Sequence, residues 1–515
     1  MFKYGIDHLT SSKAIQIAKG ELKATINQEA KEKIEKAHKT VLDIANGDNI
    51  VYGINTGFGP LCNSIIPKQD TSKLQKNLLL SHSVGVGDPI DSMIAKLMLI
   101  IKVHSLSQGF SGISMEVLTR IMWHIESDYI PLVPEQGSVG ASGDLAPLSH
   151  LFLPLIGEGE VLVKGEVKTT SELFASTGMN ALNLEPKSVL ALINGTQFIS
   201  AHAVMVVDRL HNCLQHADLI AALMIEGLMG SKMPFHPELH KTRPYIGNTH
   251  VAHRIYHFLK ESEISASHVN CDKVQDPYSL RCVPQVHGSS RSAWLHLKEA
   301  VEIEINSVTD NPVIFSKDFT ISGGNFHGQP LALPLDYACL AAAELGNISD
   351  RRSYLALEGK TDGVPKLLLK ETGLNSGFMI VQYTGAAIVS ENKTLCYPAS
   401  ADSIPTSLGQ EDHVSMGSIG GRKTLRVVKN LEKILGVELV IAAQAIDFHR
   451  PKKSSKILDA VHTKIRSSIS FASEDRLFAH DINKAINIIK DRSLITMTDA
   501  FCEEHPSPNQ KEFQV

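Results

Sequence analysis

No stretch of about 18 uncharged apolar residues occurs in the chain, so no membrane span is expected. The most apolar segments, 214–230 and 437–446, are short or carry charge. The opening residues, MFKYGIDHLTSSKAIQ, lack an apolar core and a cleavage pattern, so no secretory leader is expected either. A basic excess is also missing. The net charge of −5 argues against a clustered cationic face, so no nucleic-acid partner is expected. Cysteine is sparse and unpatterned: Cys62, Cys213, Cys271, Cys282, Cys339, Cys396 and Cys502 are odd in number and form no CxxC pair. That excludes a patterned disulfide framework or zinc knuckle and points to a reduced, cytoplasmic setting. Internal repeats, low-complexity tracts and long linkers are absent as well.

Helical signal is plentiful. Apolar residues at 94, 97, 98, 101 and 106 follow helical spacing and predict a helix over 91–106. Further helices are expected over 188–228, 289–306, 331–357 and 423–447. Segment 157–167, GEGEVLVKGEV, alternates between glycines and reads as a small hairpin. Long helices without interleaved strands argue for a mainly α protein with a long helical bundle, not a βαβ fold. A smaller N-terminal α/β region, 1–185, is expected to carry the loops, and 186–515 the bundle. The polar tail after Pro506 is expected to fray.

The unusual chemistry sits in glycine-rich loops. Residues 137–144, GSVGASGD, fail as a hydrolase elbow because Asp144 stands where G-x-S-x-G needs glycine. They fail as a P-loop because no Gly-Lys-Ser/Thr follows. A third possibility is backbone cyclisation. In a tight bend the amide nitrogen of Gly143 can attack the carbonyl of Ala141, unobstructed by a Cβ. Loss of water from that ring and from Ser142 leaves an exocyclic methylene conjugated to an imidazolone, a strong electrophile. A buried Asp144 could assist the closure. Elsewhere, Gln275, Tyr278 and Arg281 stand three apart and could share a helical face. His236-Pro237-Glu238-Leu239-His240 sets two histidines four apart, but its glutamate is misplaced for HExxH and its proline unsuited to a helix interior. It reads as a loop, and no metal is expected.

GSVGASGDLAPLSH, residues 137–150, resembles the signature of the histidine and phenylalanine ammonia-lyase family. The likeness extends through VYGINTGFG (51–59), LLSHSVGVG (79–87), ALINGTQ (191–197), VQDPYSLRCVPQVHG (274–288), INSVTDNP (305–312), SGGNFHGQP (322–330), SENKTL (390–395) and QEDHVSMG (410–417). It implies an L-aspartase/fumarase-like bundle and a 4-methylidene-imidazol-5-one group, with no external cofactor, formed from Ala141, Ser142 and Gly143. It implies Tyr52 and Tyr278 as catalytic tyrosines. Asn194 would bind the ring oxygen, Arg281 would clamp the substrate carboxylate, and Gln275 and Phe326 would line the pocket. His82 would meet the substrate ring, excluding phenylalanine better than tyrosine. Glu411, where relatives acting on phenylalanine or tyrosine carry glutamine, turns the expectation to L-histidine, because a carboxylate accepts from an imidazole N–H. Elimination to trans-urocanate, the first step of histidine degradation, is the implied reaction. A tyrosine ammonia-lyase or a 2,3-aminomutase using the same electrophile is the alternative. The family forms homotetramers with shared sites. Glycine-rich 417–421 and 383–385 depart from the alanine-rich versions expected.

Overall fold

Helix Ser92–Leu106 shows how strongly the apolar pattern dictates burial. Asp91 caps it by accepting from the Met93 amide, and from Ile94 onward only Lys96 escapes the core. A helix apolar on every side belongs inside a protein. The computed structural model describes residues 1–47, 50–57, 59, 66–67, 70–269 and 274–515. Cys62, Cys271 and Phe58 lie outside them.

The mainly helical expectation holds. The longest helices are Gln197–Gly227, Val283–Glu304, Gln329–Leu357 and Gly417–Asp447. Strands are short and local. Glu160–Val163 and Glu166–Thr169 form the expected hairpin, with Ile130–Pro131 added at its edge. Val86–Pro89 pairs with Pro134–Gln136, and Val313–Ser316 with Phe319–Ile321. No helix among the described residues is long and apolar enough to cross a membrane.

The chain forms two compact units, each built from separate stretches. The first comprises Met1–Met205, Leu297–Asp336 and Pro398–Arg422; the second comprises Val206–His296, Tyr337–Tyr397 and Lys423–Val515. The sequence reading instead draws a single boundary after residue 185. In the second unit, Asp218 and Glu438 are buried carboxylates that meet opposite charges. Asp218 accepts from Arg291, from His287 Nδ1 at 2.9 Å and from Arg254 Nε at 3.1 Å. Burial opposes ionisation there, but these partners hold the Asp218 carboxyl well below the usual carboxylate range. Arg352 forks onto Glu438 at 2.5 and 3.0 Å, and Ser349 Oγ donates to the same carboxylate.

Four local expectations need correction. The helix expected over 188–228 is two helices, Ser188–Ile193 and Gln197–Gly227, separated by Asn194-Gly195-Thr196. Gly195 adopts φ +129°, and a Cβ there would lie 2.5 Å from Gln197 Oε1. The polar string Asn194-Gly195-Thr196-Gln197 interrupts the apolar pattern there, and its glycine takes up the bend. The tail does not fray. Phe513 and Ser507 are buried, the Phe513 carbonyl bonds His211 Nε2 at 2.8 Å, and Ser507 Oγ meets His250 Nδ1 at 2.6 Å. One aromatic anchors a segment whose composition is otherwise polar. Gln275 shares no helical face with Tyr278 and Arg281, because the helix is only Tyr278–Arg281 and Pro277 stands at its start.

The 236–240 segment is not a loop throughout. Pro237 opens the short helix Pro237–Lys241, where its missing N–H costs nothing. His236 Nδ1 accepts from the Glu238 amide, and His240 Nε2 bonds the Pro234 carbonyl.

Candidate active site

The first unit holds a cavity of about 860 Å³, within the range of small-molecule sites. Tyr52, His82, Ala141, Ser142, Asn194, Phe326 and Glu411 line it, so widely separated sequence motifs converge on one space. Gly143 is not among the lining residues. Gln275, Tyr278 and Arg281 belong to the second unit and are not among the lining residues.

The 137–144 loop is held by its backbone. Gly143 has φ +75° and forms a parallel bridge with Gly195; a Cβ at 143 would lie 2.1 Å from the Gly195 carbonyl oxygen. No other residue fits there, and the Asp144 amide donates to that same oxygen at 2.7 Å. Asn194 Nδ2 donates to the Ser142 carbonyl oxygen at 2.9 Å. From the other side, segment 411–418 clasps the loop. The Met416 amide donates to Val139 O, Ser415 Oγ to Gly140 O, and Ser418 Oγ to Ser138 O. Ala141 packs with Val414 and Met416. A bent, enclosed Ala-Ser-Gly turn with its middle carbonyl bonded is the cradle that an internal ring from these residues requires.

Asp144 is buried and leaves its own helix, Leu145–Phe152, without a side-chain cap. Its carboxylate accepts from Ser138 Oγ and from the Ile199 amide, both at 3.0 Å, the latter in the first turn of helix Gln197–Gly227. Burial pushes the Asp144 carboxyl up to about 7, against those hydrogen bonds and the charge of Lys102.

Glu411 spans the loop and the cavity. Ser142 Oγ donates to its Oε1 at 2.5 Å, while Thr406 and Ser407 hydroxyls donate to Oε2 at 2.8 and 2.9 Å. These bonds fix a carboxylate that would otherwise read as a surface charge. His82 ends helix Thr71–His82, with Nδ1 at 3.0 Å from Ser81 Oγ. Burial holds its imidazole below the ordinary value, opposed by the Leu78 carbonyl and the charge of Glu411. Tyr52 Oη accepts from the Gly59 amide at 3.3 Å.

Sequence reading gave no role to Asn311, Ser322, His327 and His413, which also line the cavity. Asn311 bonds Ser322 Oγ and accepts from the Gly323 amide, shaping the loop that presents Phe326. His327 Nδ1 accepts from the Gln329 amide, so Nε2 carries the proton donated to His413 O at 3.2 Å. All four lie in the quoted motifs, which supplied a signal without assigning a function. Arg281 Nε donates to Asp276 O at 2.9 Å, and its guanidinium lies 4.5 Å from the Tyr278 ring centre.

Comparison with known proteins agrees with this geometry. Residues 9–467 match the family model described as aromatic amino acid lyase. A histidine ammonia-lyase of Idiomarina loihiensis is 42% identical over 471 residues, covering 91% of this chain and 92% of that protein. The crystal structure of a histidine ammonia-lyase from Trypanosoma cruzi superposes with a TM-score of 0.91 at 37% identity, covering 99% of this chain and 96% of that one. A tyrosine aminomutase from Streptomyces globisporus also superposes at 0.91, with 32% identity and coverage of 96% and 97%. With the converging loops and a match over most of its length, the chain belongs to the aromatic amino acid lyase family.

Proposed function

We propose that the enzyme eliminates ammonia from L-histidine to give trans-urocanate. The observation that carries this reading is the meeting of Ser142, His82 and Glu411 in one cavity. The 4-methylidene-imidazol-5-one formed from Ala141, Ser142 and Gly143 supplies an electrophile that ordinary side chains lack. The chain's own residues do the rest. Asn194 donates to Ser142 O, the oxygen that remains after ring closure, where a donor stabilises developing negative charge. His82 and Glu411 recognise the imidazole as polar partners. Glu411, a half-buried carboxylate lining the cavity, selects it over a phenyl ring, because an imidazole N–H offers a donor to a carboxylate and a phenyl ring offers none. Tyr52 moves the β-proton. Asp144, anchored by Ser138 and Ile199, supports the turn during closure.

Gln275, Tyr278 and Arg281 complete the site from another copy of the chain in a homotetramer. Arg281 then clamps the substrate carboxylate, so that orientation is set on binding. Support comes from exposed apolar residues: Tyr278 itself, Tyr337, Leu340 and Tyr354 on helix Gln329–Leu357, and Ile380 and Tyr383 on helix Met379–Leu395. Such surfaces suit burial by a second copy. The reduced cytoplasm is the proposed location.

The test is to follow product absorbance with L-histidine, L-tyrosine and L-phenylalanine, together with the intact mass. Urocanate from histidine alone and a chain short by two waters are expected. No urocanate overturns the assignment. A β-amino acid as the main product would instead favour the aminomutase reading, which the likeness to the tyrosine aminomutase keeps open.

A further inference from the structure

Helix Ser188–Ile193 has a buried lysine at each end. They are treated differently. Lys187, before the helix, pairs with Asp310 at 2.7 Å and donates to Ser111 O at 2.8 Å, and Ser111 Oγ donates to the same Asp310 carboxylate. Lys102, at the far end, forms no ion pair among the described residues. Its Nζ donates instead to two main-chain carbonyls, Asn194 O at 2.6 Å and Ala191 O at 3.2 Å. It is 1% exposed on a helix that is core from Ile94 onward apart from Lys96. Burying an ammonium without a carboxylate is expensive, and an apolar side chain would suit helix Ser92–Leu106 better. Burial lowers the Lys102 ammonium to about 7, against the pull of Asp310 and Asp144 and with Lys187 adding to the depression. Stability alone does not account for this residue.

What Lys102 touches does account for it. Asn194 and Gly195 interrupt the helical path, and both meet the 141–143 turn. The Asn194 side chain bonds Ser142 O, and Gly195 bridges Gly143. Their shared peptide begins at the carbonyl Lys102 holds. A Cβ at Gly195 would lie 3.1 Å from Nζ, so the ammonium sits directly against this bend. Without that donor, the Asn194 carbonyl is a buried acceptor with an incentive to turn toward another partner. Turning it rotates the Asn194–Gly195 peptide and shifts both contacts with the turn.

We propose that Lys102 is a positioning residue for the active-site turn: by holding the Asn194 carbonyl it sets the Asn194 amide on Ser142 O and seats Gly195 against Gly143. It acts through Asn194 and Gly195 and does not touch substrate. Both the maturation of 141–143 and the subsequent reaction depend on that seat. The inference rests on the cyclisation reading, which the unmodified enzyme's own mass tests separately.

The experiment compares Lys102→Met, Lys102→Gln and Lys102→Arg with the parent in the full-length protein. The readouts are intact mass, kcat and KM for histidine, and melting temperature. Lys102→Met is expected to lower the fraction of chains short by two waters and to reduce kcat per dehydrated site by about 10- to 100-fold, the scale of a small misplacement of reacting groups. KM should change far less, because His82, Glu411 and the cavity wall remain. Lys102→Arg, which keeps cationic donors, should recover most of the dehydrated mass and rate, while neutral Lys102→Gln should recover less. If Lys102→Met is too unstable to read, the Gln and Arg pair decides. Equal dehydration and kcat in Lys102→Gln and Lys102→Arg, or a folded Lys102→Met matching the parent in both, overturns the proposal. A parent chain of unmodified mass defeats the cyclisation reading instead.

Discussion

The Asp218 and Glu438 clusters of the second unit and Lys102 and Asp144 of the first are all withdrawn from water, yet they are accommodated differently. Asp218 has Arg291, His287 and Arg254 around it, and Glu438 has Arg352 in a fork. Lys102 and Asp144 rest on carbonyls, amides and hydroxyls instead. In the first unit, Lys187 and Asp310 show that pairing was available to this part of the fold. Paired buried charges lock one arrangement of helices. Unpaired ones are destabilising on their own, and Lys102 and Asp144 lie beside the turn where the chemistry is proposed, as perturbed groups at functional sites often do.

The sharpest way to separate the two kinds of region is to remove what only the first has. Ser142→Ala should lower turnover by about 10³-fold or more while moving the melting temperature by only a few degrees, since it deletes one hydroxyl and the electrophile with it. Enzyme assays and calorimetry on the same preparation check both halves. Asp218→Ala should behave in the opposite way. Stripping the partner from Arg291 and Arg254 is expected to cost about 3–5 kcal/mol in denaturant unfolding, with the two-water mass deficit intact in folded chains. A mass deficit lost in folded Asp218→Ala would break the comparison.

Asn194→Ala comes next. Loss of the donor at Ser142 O should reduce kcat by about 10²- to 10³-fold, with a smaller change in KM. The smallest effect is on pH dependence. The Lys102 ammonium titrates near 7 in the fold and near 10.5 when unfolded, so unfolding takes up a proton between those values. Parent stability relative to Lys102→Met should therefore rise as pH increases from 7 toward 10. The Asp144 carboxyl is raised from 3.8 to about 7, so its contribution should fall as pH rises across that interval, and Asp144→Asn should remove the slope. Melting temperatures across pH that ran parallel in all three proteins would contradict the stated environments.

Much of the site could be read from local strings. Tyr52, His82, Asn194, Phe326 and Glu411 each sit in a loop motif, and each reaches the cavity. Helix Ser92–Leu106 and the 160–169 hairpin were likewise legible, because periodicity and turn residues act over short range. Lys102 was not. In the string LIIKVHSL a lone lysine reads as a solvated charge, and only the neighbouring helix Ser188–Ile193 turns it into a buried donor. The bend at Gly195 was passed over although Asn-Gly is a local turn signal, because long apolar runs on both sides suggested one continuous helix; its bridge to Gly143 is visible only in the fold. Phe513 was overlooked because composition averages a tail, whereas burial depends on one ring.

By itself the sequence determined the helical character, the glycine needed at 143, the inventory of reactive and polar groups and the family. Those are properties of side-chain chemistry, short-range periodicity and backbone sterics. Only the tertiary structure decided which groups meet: Ser142 with Glu411, Asn194 with the Ser142 carbonyl, and Lys102 with the Asn194 carbonyl. Those partners are separated by 269, 52 and 92 positions along the chain, and at such distances no propensity or spacing rule operates. Packing alone brings them within hydrogen-bond reach.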